Sequence, residues 1–149
     1  MEELMYYVWQ QKMFQSILTL DNAEIEIINP GLRNLDAGPD FFNAKIRING
    51  TLWAGNVEMH VRASDWFRHH HHDDKTYDSV ILHVVLQADA VIRLHDGEMV
   101  KTVVMKIPQD VMEKYEKLTN RGQIIFSAIN CRKHLNAVPS LILHDWQTS

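Results

Sequence analysis

The sequence predicts a mixed α/β (α+β) fold: a mostly antiparallel sheet of about six strands built from two hairpins, with two helices. Three observations lead to this fold class. Apolar residues recur at helical spacing over residues 2–16 and 109–118. The glycine turns Asn49-Gly50 and Asp96-Gly97 each lie between two strand-like segments. Residues 79–86 are apolar at nearly every position, which is typical of a central strand with both faces buried.

The elements before the first hairpin are a helix and a strand. Glu2 and Glu3 suit the positive end of the dipole of a helix that spans residues 2–16. Residues 23–28 then alternate in polarity, as a strand with one buried face does, and Asn29-Pro30-Gly31 ends that strand.

The first hairpin joins residues 43–48 to residues 51–62. Its turn, Asn49-Gly50, predicts a type I′ conformation, because both residues tolerate the positive φ angles that this turn needs. Two sets of side chains alternate along the second strand: apolar Val57, Met59 and Val61, and polar Glu58, His60 and Arg62. We therefore expect one face of this strand in the core and the polar set on the opposite face.

Asp40 precedes this hairpin, and a glycine lies inside its second strand. We expect one β-bulge at Ala54-Gly55, because an interior glycine favours a bulge. That bulge would shift the pairing by one residue and place Asp40 opposite His60. Since directly paired residues share a face, we expect Asp40, Glu58 and His60 to converge.

The chemistry of these three groups indicates a metal site. Two carboxylates brought together away from water repel each other unless a cation binds between them. Oxygen ligands suit Mg²⁺ or Mn²⁺, so we predict that Asp40 and Glu58 bind one of these ions. His60 would then orient or deprotonate an attacking water. The alternative is that Glu58, His60 and Arg62 form the solvated face of the strand.

Two histidine features add candidates. His83 interrupts the apolar strand; we expect it to be buried and bonded to a backbone carbonyl, with acid–base catalysis beside Glu58 as the alternative. Four consecutive histidines at 69–72 cannot all face one point, so we expect a solvated loop. With His60 or His83, one or two of these histidines could instead form a site for Zn²⁺, Ni²⁺ or Fe.

Composition narrows the class of protein. The 149 residues are 46% hydrophobic, enough for one domain with a core. A net charge of -4 gives no general attraction to nucleic acid or to membranes. The one cysteine, Cys131, excludes an internal disulfide and a CxxC zinc site. Without a signal peptide or a long apolar run, we expect a cytoplasmic protein with no membrane partner.

The end of the second helix sets the expected domain boundary. We expect an α+β domain at residues 1–122, because Asn120-Arg121-Gly122 would end that helix. Residues 123–149 would begin a region that is missing from this chain. The domain would then either pack against that region or form a homo-oligomer.

Three stretches carry a family resemblance. They are residues 37–44, 53–66 and 77–85, with the sequences AGPDFFNA, WAGNVEMHVRASDW and YDSVILHVV. These strings resemble an uncharacterised bacterial family catalogued only as a domain of unknown function, DUF2851. Its members are longer than this chain, and the resemblance implies no assigned activity.

A more distant resemblance is to the PD-(D/E)XK nuclease-like group. In that group a Pro-Asp pair opens one strand and a Glu-X-Lys motif closes the next, so that two acids hold Mg²⁺ beside a lysine. Pro39-Asp40 and Glu58 match these elements, and His60 stands where the lysine would be. The resemblance implies a metal-dependent phosphodiester hydrolase with nucleic acid as its partner. Its imidazole would carry less positive charge than lysine near neutral pH.

Three functions follow from the sequence, which leaves all three open. The first is a nuclease-like phosphodiester hydrolase that depends on Mg²⁺ or Mn²⁺. Its candidate catalytic residues are Asp40, Glu58, His60 and His83. The second is a non-catalytic β-rich interaction or structural module that binds through exposed aromatics such as Trp53 and Trp66. The third is a protein that binds Zn²⁺ or Ni²⁺ at the histidine run.

Overall fold

A computed structural model describes residues 1–14, 16–19 and 22–132. Its helices are α1 (Glu2–Gln10), α2 (Asp65–Arg68) and α3 (Gln109–Arg132), and two 3₁₀ helices span His71–Asp73 and Lys75–Ser79. Its strands are β1 (Ser16–Thr19), β2 (Ile25–Asn29), β3 (Leu32–Arg33), β4 (Phe41–Ile48), β5 (Thr51–Arg62), β6 (Val80–Gln87) and β7 (Thr102–Lys106). The predicted α+β class is confirmed.

These strands belong to one mixed sheet. Six follow the order β1-β7-β6-β5-β4-β2, and β3 pairs with β4. β5 and β6 run parallel, as do β6 and β7, whereas the remaining pairs are antiparallel. A parallel pair needs a crossover connection. Residues 63–79, which contain α2 and both 3₁₀ helices, form the crossover between β5 and β6 and include the histidine run.

The first hairpin forms as predicted, and its turn has the predicted geometry. Asn49 and Gly50 have φ angles of 49° and 82°, both positive. Ile48 pairs with Thr51, as a two-residue turn requires. The Asn-Gly signal therefore predicted both the position and the type of this turn.

The bulge predicted at Ala54-Gly55 is wrong. The register shifts between Phe41 and Ala44, on the other strand, where Asn43 has a φ of 58°. Gly55 has a different role, because a Cβ at that position would lie 2.4 Å from Cγ2 of Ile81 on the neighbouring β6. The glycine thus permits close contact between two strands and does not mark an extra residue.

Both faces of β5 are buried in the middle of the sheet. Val57 and Met59 are buried on one face, while Glu58 and His60 on the other are only 3% and 2% exposed. A cluster of buried apolar side chains lies at this second face. The crossover contributes Ala63, Trp66 and Tyr77, and β6 and the segment after it contribute Val80, Val85, Ile92 and Val100. The alternative of a solvated face is therefore wrong for Glu58 and His60, although Arg62 is exposed.

The second hairpin is a short one. It is limited to an antiparallel bridge between Arg93 and Met99, after which β7 pairs with β6 and β1. Of the pair Asp96-Gly97, only Gly97 has a positive φ, at 87°. The predicted type I′ turn is therefore wrong at this position, and the glycine closes a longer loop.

The two predicted helices begin where expected and differ in length. α1 ends at Gln10 and not at residue 16, and Lys12 has a positive φ of 52°, which lies outside the right-handed helical region. α3 begins at Gln109 and continues to Arg132, beyond the predicted stop at 120–122. An interior glycine costs a helix only about 1 kcal/mol, so Gly122 alone does not end it.

The chain divides into two compact units. One contains residues 14–106, with the sheet and its crossover, and the other contains residues 3–13 and 107–149. A boundary at residue 122, followed by a region missing from the chain, stays a prediction, and residues 133–149 lie outside the described part. Among the described residues, no helix has both the length and the apolar character that crossing a membrane requires.

Candidate metal centre

Two parallel strands bring His60 and His83 together. Glu58 of β5 pairs with His83 of β6, and the two histidines lie on the face that the crossover covers. Nδ1 of His60 is 2.8 Å from Nε2 of His83. The expected bond from His83 to a backbone carbonyl is therefore wrong. Its side-chain partner is an imidazole, and its Nδ1 has no hydrogen-bond partner among the described residues.

The histidine run divides into two pairs because the backbone turns at His70. His70 is left-handed, with φ 59° and ψ 28°, and a 3₁₀ helix follows it. Nδ1 of His69 lies 3.2 Å from Nε2 of His60, and Nε2 of His71 lies 2.7 Å from the carboxylate of Glu58. His69, His70 and His72 are exposed, whereas the side chain of His71 is 11% exposed. The expectation of a solvated loop is thus wrong for His71, and His69 contacts β5 from an exposed position.

Three histidines form a cluster that could hold a metal ion: His60, His69 and His71. Each offers a ring nitrogen, and these nitrogens all lie within 4.8 Å of one another. The 3.2 Å between the nitrogens of His60 and His69 suits a hydrogen bond. It is also close to the roughly 3.3 Å that separates two imidazole ligands of a tetrahedral zinc ion. A bound ion would tie β5 to the crossover.

Two of the three histidines have a partner that orients the ring. Nδ1 of His60 faces His83, and Nε2 of His71 faces Glu58. Metal-binding histidines usually have such partners, because the partner fixes the tautomer and leaves the second nitrogen for the ion. When His60 donates its Nδ1–H to His83, its Nε2 lone pair is available on the side of His69.

Burial favours the neutral form of these imidazoles. It lowers the pKa of His60 to about 2 and that of His83 to about 3, and neighbouring histidines add a smaller effect. Burial also lowers the pKa of His71, against the opposing charge of Asp40. Because a metal ion binds the neutral imidazole, burial favours in His60 and His71 the protonation state that ligation requires.

Asp40 and Glu58 form a hydrogen-bonded carboxyl pair beside the histidines. The Met59 backbone N–H donates to Oδ2 of Asp40 at 2.9 Å, and a guanidinium nitrogen of Arg33 lies 3.8 Å from Oδ1. Burial raises the pKa of Asp40 to about 8, together with the hydrogen bond and charge of Glu58. Burial also raises the pKa of Glu58. The pair therefore retains a proton near neutral pH.

The strand register explains this pairing. Phe41 lies opposite Val57, which puts Asp40 level with Glu58. The predicted placement of Asp40 opposite His60 is wrong, because the bulge lies on β4 and shifts the register in the other direction. His60 joins the carboxyl pair through His71, whose ring centre lies 5.1 Å from that of His60. The four candidate catalytic residues and the two inward histidines thus form one group.

A buried asparagine holds the loop that delivers Asp40. The Asn34 backbone N–H donates to the carbonyl oxygen of Asp40 at 2.8 Å. The Asn34 side chain donates to the carbonyls of Ala37 and Pro39 and accepts from the N–H of Asp36. These bonds satisfy the buried amide and fix the conformation of the loop.

Two aromatic side chains enclose the cluster. Trp66 is 1% exposed, and its ring centre lies 5.1 Å from that of His83 and 5.5 Å from that of His71. Tyr77 stacks on His71 with 3.7 Å between ring centres. The prediction of Trp66 as an exposed binding residue is therefore wrong, whereas Trp53 is 48% exposed.

Sequence reasoning did not assign a ligand role to His69 or His71 individually, and it missed Asn34. One signal was available for the histidines. Trp66 and Tyr77 flank the run on both sides, and such large aromatic side chains supply much of the buried area of a core.

Comparisons with known proteins place the chain in a family without assigning it an activity. Neither the curated proteins nor the solved structures gave a match. The family described as "Protein of unknown function (DUF2851)" matches residues 2–149, which is nearly the whole chain. The chain therefore belongs to the DUF2851 family.

Proposed function

We propose that this chain is a metal-dependent hydrolase whose catalytic ion, most suitably Zn²⁺, is bound by His60, His69 and His71. The observation that carries the proposal is the grouping of three ring nitrogens within 4.8 Å of one another. Three imidazoles leave a fourth tetrahedral position for water. That open position distinguishes catalytic zinc sites from structural ones, which have four protein ligands.

The donor set favours a transition metal over Mg²⁺ or Mn²⁺. Imidazole suits Zn²⁺, Ni²⁺ and Fe²⁺, whereas Mg²⁺ prefers oxygen ligands in near-octahedral geometry. Asp40 and Glu58 already accept hydrogen bonds from Met59 and His71, which occupy one oxygen of each carboxyl group. We therefore assign the carboxyl pair to proton transfer instead of to a Mg²⁺ or Mn²⁺ site.

Proton transfer by this pair would complete a hydrolytic mechanism. A zinc-bound water has a pKa of about 7, so it supplies hydroxide near neutral pH. Glu58 would accept the proton of the attacking water, and Asp40, whose pKa is about 8, would protonate the leaving group. His83 would act through His60, as a positioning residue that holds the ligand ring.

A phosphodiester, including nucleic acid, is the substrate class that we propose. Lys45 pairs with Ala54, so the alternation along β5 puts Lys45 and Arg62 on the same face as Glu58 and His60. Both are exposed cations, which phosphate groups favour. Because the net charge is -4, the attraction would be local to this face. A cytoplasmic location belongs to the same proposal, because a chain with a single cysteine suits a reducing compartment.

Calorimetric titration of the metal-free protein tests the centre. Native protein should bind Zn²⁺ with at least about 100-fold higher affinity than His69→Ala, because that substitution removes one of three ligands. His95→Ala is the control: this histidine pairs with Asp78 outside the cluster, and its removal should leave the affinity unchanged.

The same titration separates the metal assignments. Equal Zn²⁺ affinity of native protein and His69→Ala contradicts the histidine centre. Binding of Mn²⁺ that Asp40→Ala or Glu58→Ala abolishes, while His69→Ala retains it, would return the ion to the carboxyl pair. Zn²⁺-loaded native protein should also hydrolyse bis(p-nitrophenyl) phosphate. If Zn²⁺ binds at the three histidines but the protein hydrolyses no phosphodiester, the centre is a structural metal site and the proposed hydrolase is contradicted.

A further inference from the structure

A second group of metal-binding side chains lies on the outer side of the histidine run. It consists of His70, His72 and Asp73, which we call the outward cluster, and its ligand atoms all lie within 4.8 Å of one another. Oδ2 of Asp73 is 4.0 Å from Nδ1 of His70 and 3.3 Å from Nε2 of His72. Two imidazoles and one carboxylate form a donor set that divalent transition metals bind.

The local backbone preforms this cluster. His70 is the left-handed residue that precedes the 3₁₀ helix His71–Asp73. Nδ1 of His70 lies 4.0 Å from Oδ2 of Asp73, so the turn brings both side chains to the same side. The left-handed conformation of His70 reverses the side on which it projects relative to His69 and His71, which contact β5.

Because its side chains are exposed, the outward cluster should bind a metal ion more weakly than His60, His69 and His71. The side chains of His70 and Asp73 are 79% and 70% exposed. Neither has a buried partner that holds its rotamer, in contrast to His60 and His71. Binding an ion there must therefore order mobile side chains in competition with water, which lowers the affinity.

Members of the outward cluster alternate along the chain with two ligands of the inner centre, which consists of His60, His69 and His71. His60 is 2% exposed and the side chain of His71 is 11% exposed, whereas His69 is exposed. The inner ligands therefore meet solvent at the histidine run itself. An ion that approaches the inner centre from solution therefore meets His69 first. His70 and His72 of the outward cluster are the sequence neighbours of His69 and His71.

We propose that His70, His72 and Asp73 form a second, weaker site for a divalent transition metal, and that ions pass through it to reach the inner centre. The role as an entry site rests on the proposed function, because it requires the inner centre. Transfer is a ligand exchange without redox change. Bonds from the metal to His70, His72 and Asp73 break while bonds to His60, His69 and His71 form, and each imidazole binds through its neutral nitrogen.

Zinc titration and stopped-flow loading of the metal-free protein test this proposal on native protein and on the double variant His70→Ala/His72→Ala. Native protein should bind two ions of unequal affinity. The double variant should bind one ion, with the affinity of the inner centre within about twofold of native. Its loading should be slower by about tenfold, because an ion held by the neighbouring histidines raises the local concentration. All residues changed are exposed, so the fold should survive, and His95→Ala is again the control.

Two results overturn the proposal. One is a double variant that still binds two ions, and the other is a double variant that loads the inner centre at the native rate. Failure of the inner centre gives a different pattern: native protein binds one weak ion, and the double variant binds none. That pattern would contradict both the proposed function and the entry role.

Discussion

The inward and outward histidines of one four-residue run contact different groups. His69 and His71 contact β5, where they meet the buried imidazole of His60 and the carboxylate of Glu58. His70 and His72 are exposed and have Asp73 as their neighbour. Residue type is the same in all four, so the backbone at His70 and the crossover between parallel strands produce the difference. Composition alone therefore does not assign chemistry to a histidine-rich segment.

Removal of a histidine from each environment should give the largest contrast in stability. His60→Ala leaves Nε2 of His83 without its partner and opens a cavity in a packed region, so it should lower the free energy of unfolding by about 3 kcal/mol. His72→Ala, at the exposed pair, should change it by less than about 0.5 kcal/mol. Urea unfolding of the metal-free variants measures both. A similar loss of unfolding free energy in the two variants would contradict the difference between the buried and the exposed histidines.

The pH dependence of stability should distinguish the partly buried Asp40 from the exposed Asp73. The folded protein keeps a proton on Asp40 up to about pH 8, whereas the unfolded chain releases it above about pH 4. Asp40 therefore makes stability fall as pH rises between these values. His60 and His83 act oppositely below about pH 6.5, because there the unfolded chain binds protons that the folded protein excludes.

Between pH 6.5 and pH 8 the proton that Asp40 retains beside Glu58 should dominate the slope. We expect metal-free native protein to lose about 2 kcal/mol over this interval relative to Asp40→Asn. Asp73→Asn, in the outward cluster, is the matched control and should keep the native slope. Chemical denaturation at several pH values gives the comparison. If the free energy of unfolding of Asp40→Asn falls with pH as steeply as that of the native protein, the carboxyl pair does not hold the proton.

The smallest effect should come from the partner that orients His71. Glu58→Gln keeps the size of the side chain but removes the charge that accepts the His71 N–H, and should weaken Zn²⁺ binding by about tenfold. Glu26→Gln, at an exposed pair with Arg47, should have no effect on the affinity. A loss equal to that of a removed ligand would instead make Glu58 a direct ligand.

Local sequence predicted the parts of the fold that local chemistry decides. The Asn49-Gly50 turn requires two positive φ angles, and the apolar segment at β6 requires two buried faces, so both could be predicted. The meeting of Asp40 with Glu58 was also predicted, although through a bulge on the wrong strand. The need for Gly55 comes from Ile81 on the adjacent parallel strand, a contact that hairpin reasoning does not contain.

The candidate site could not be predicted in full from local sequence, because it is formed by residues that lie far apart in the chain. His60 and Glu58 have the alternation of a solvated strand, and only the crossover that covers them makes them buried. The inward position of His69 and His71 depends on a left-handed residue at His70, which is uncommon for a residue other than glycine. Neither feature has a signal within a window of a few residues, so the ligand set became visible only in three dimensions.

Zinc K-edge X-ray absorption on protein loaded with one equivalent of Zn²⁺ tests the central claim most directly. We predict three imidazole nitrogens and one oxygen about 2.0–2.1 Å from the ion. A shell with two imidazoles and a carboxylate would place the ion in the outward cluster, and an all-oxygen shell would place it at the carboxyl pair. Either result would contradict a centre built from His60, His69 and His71.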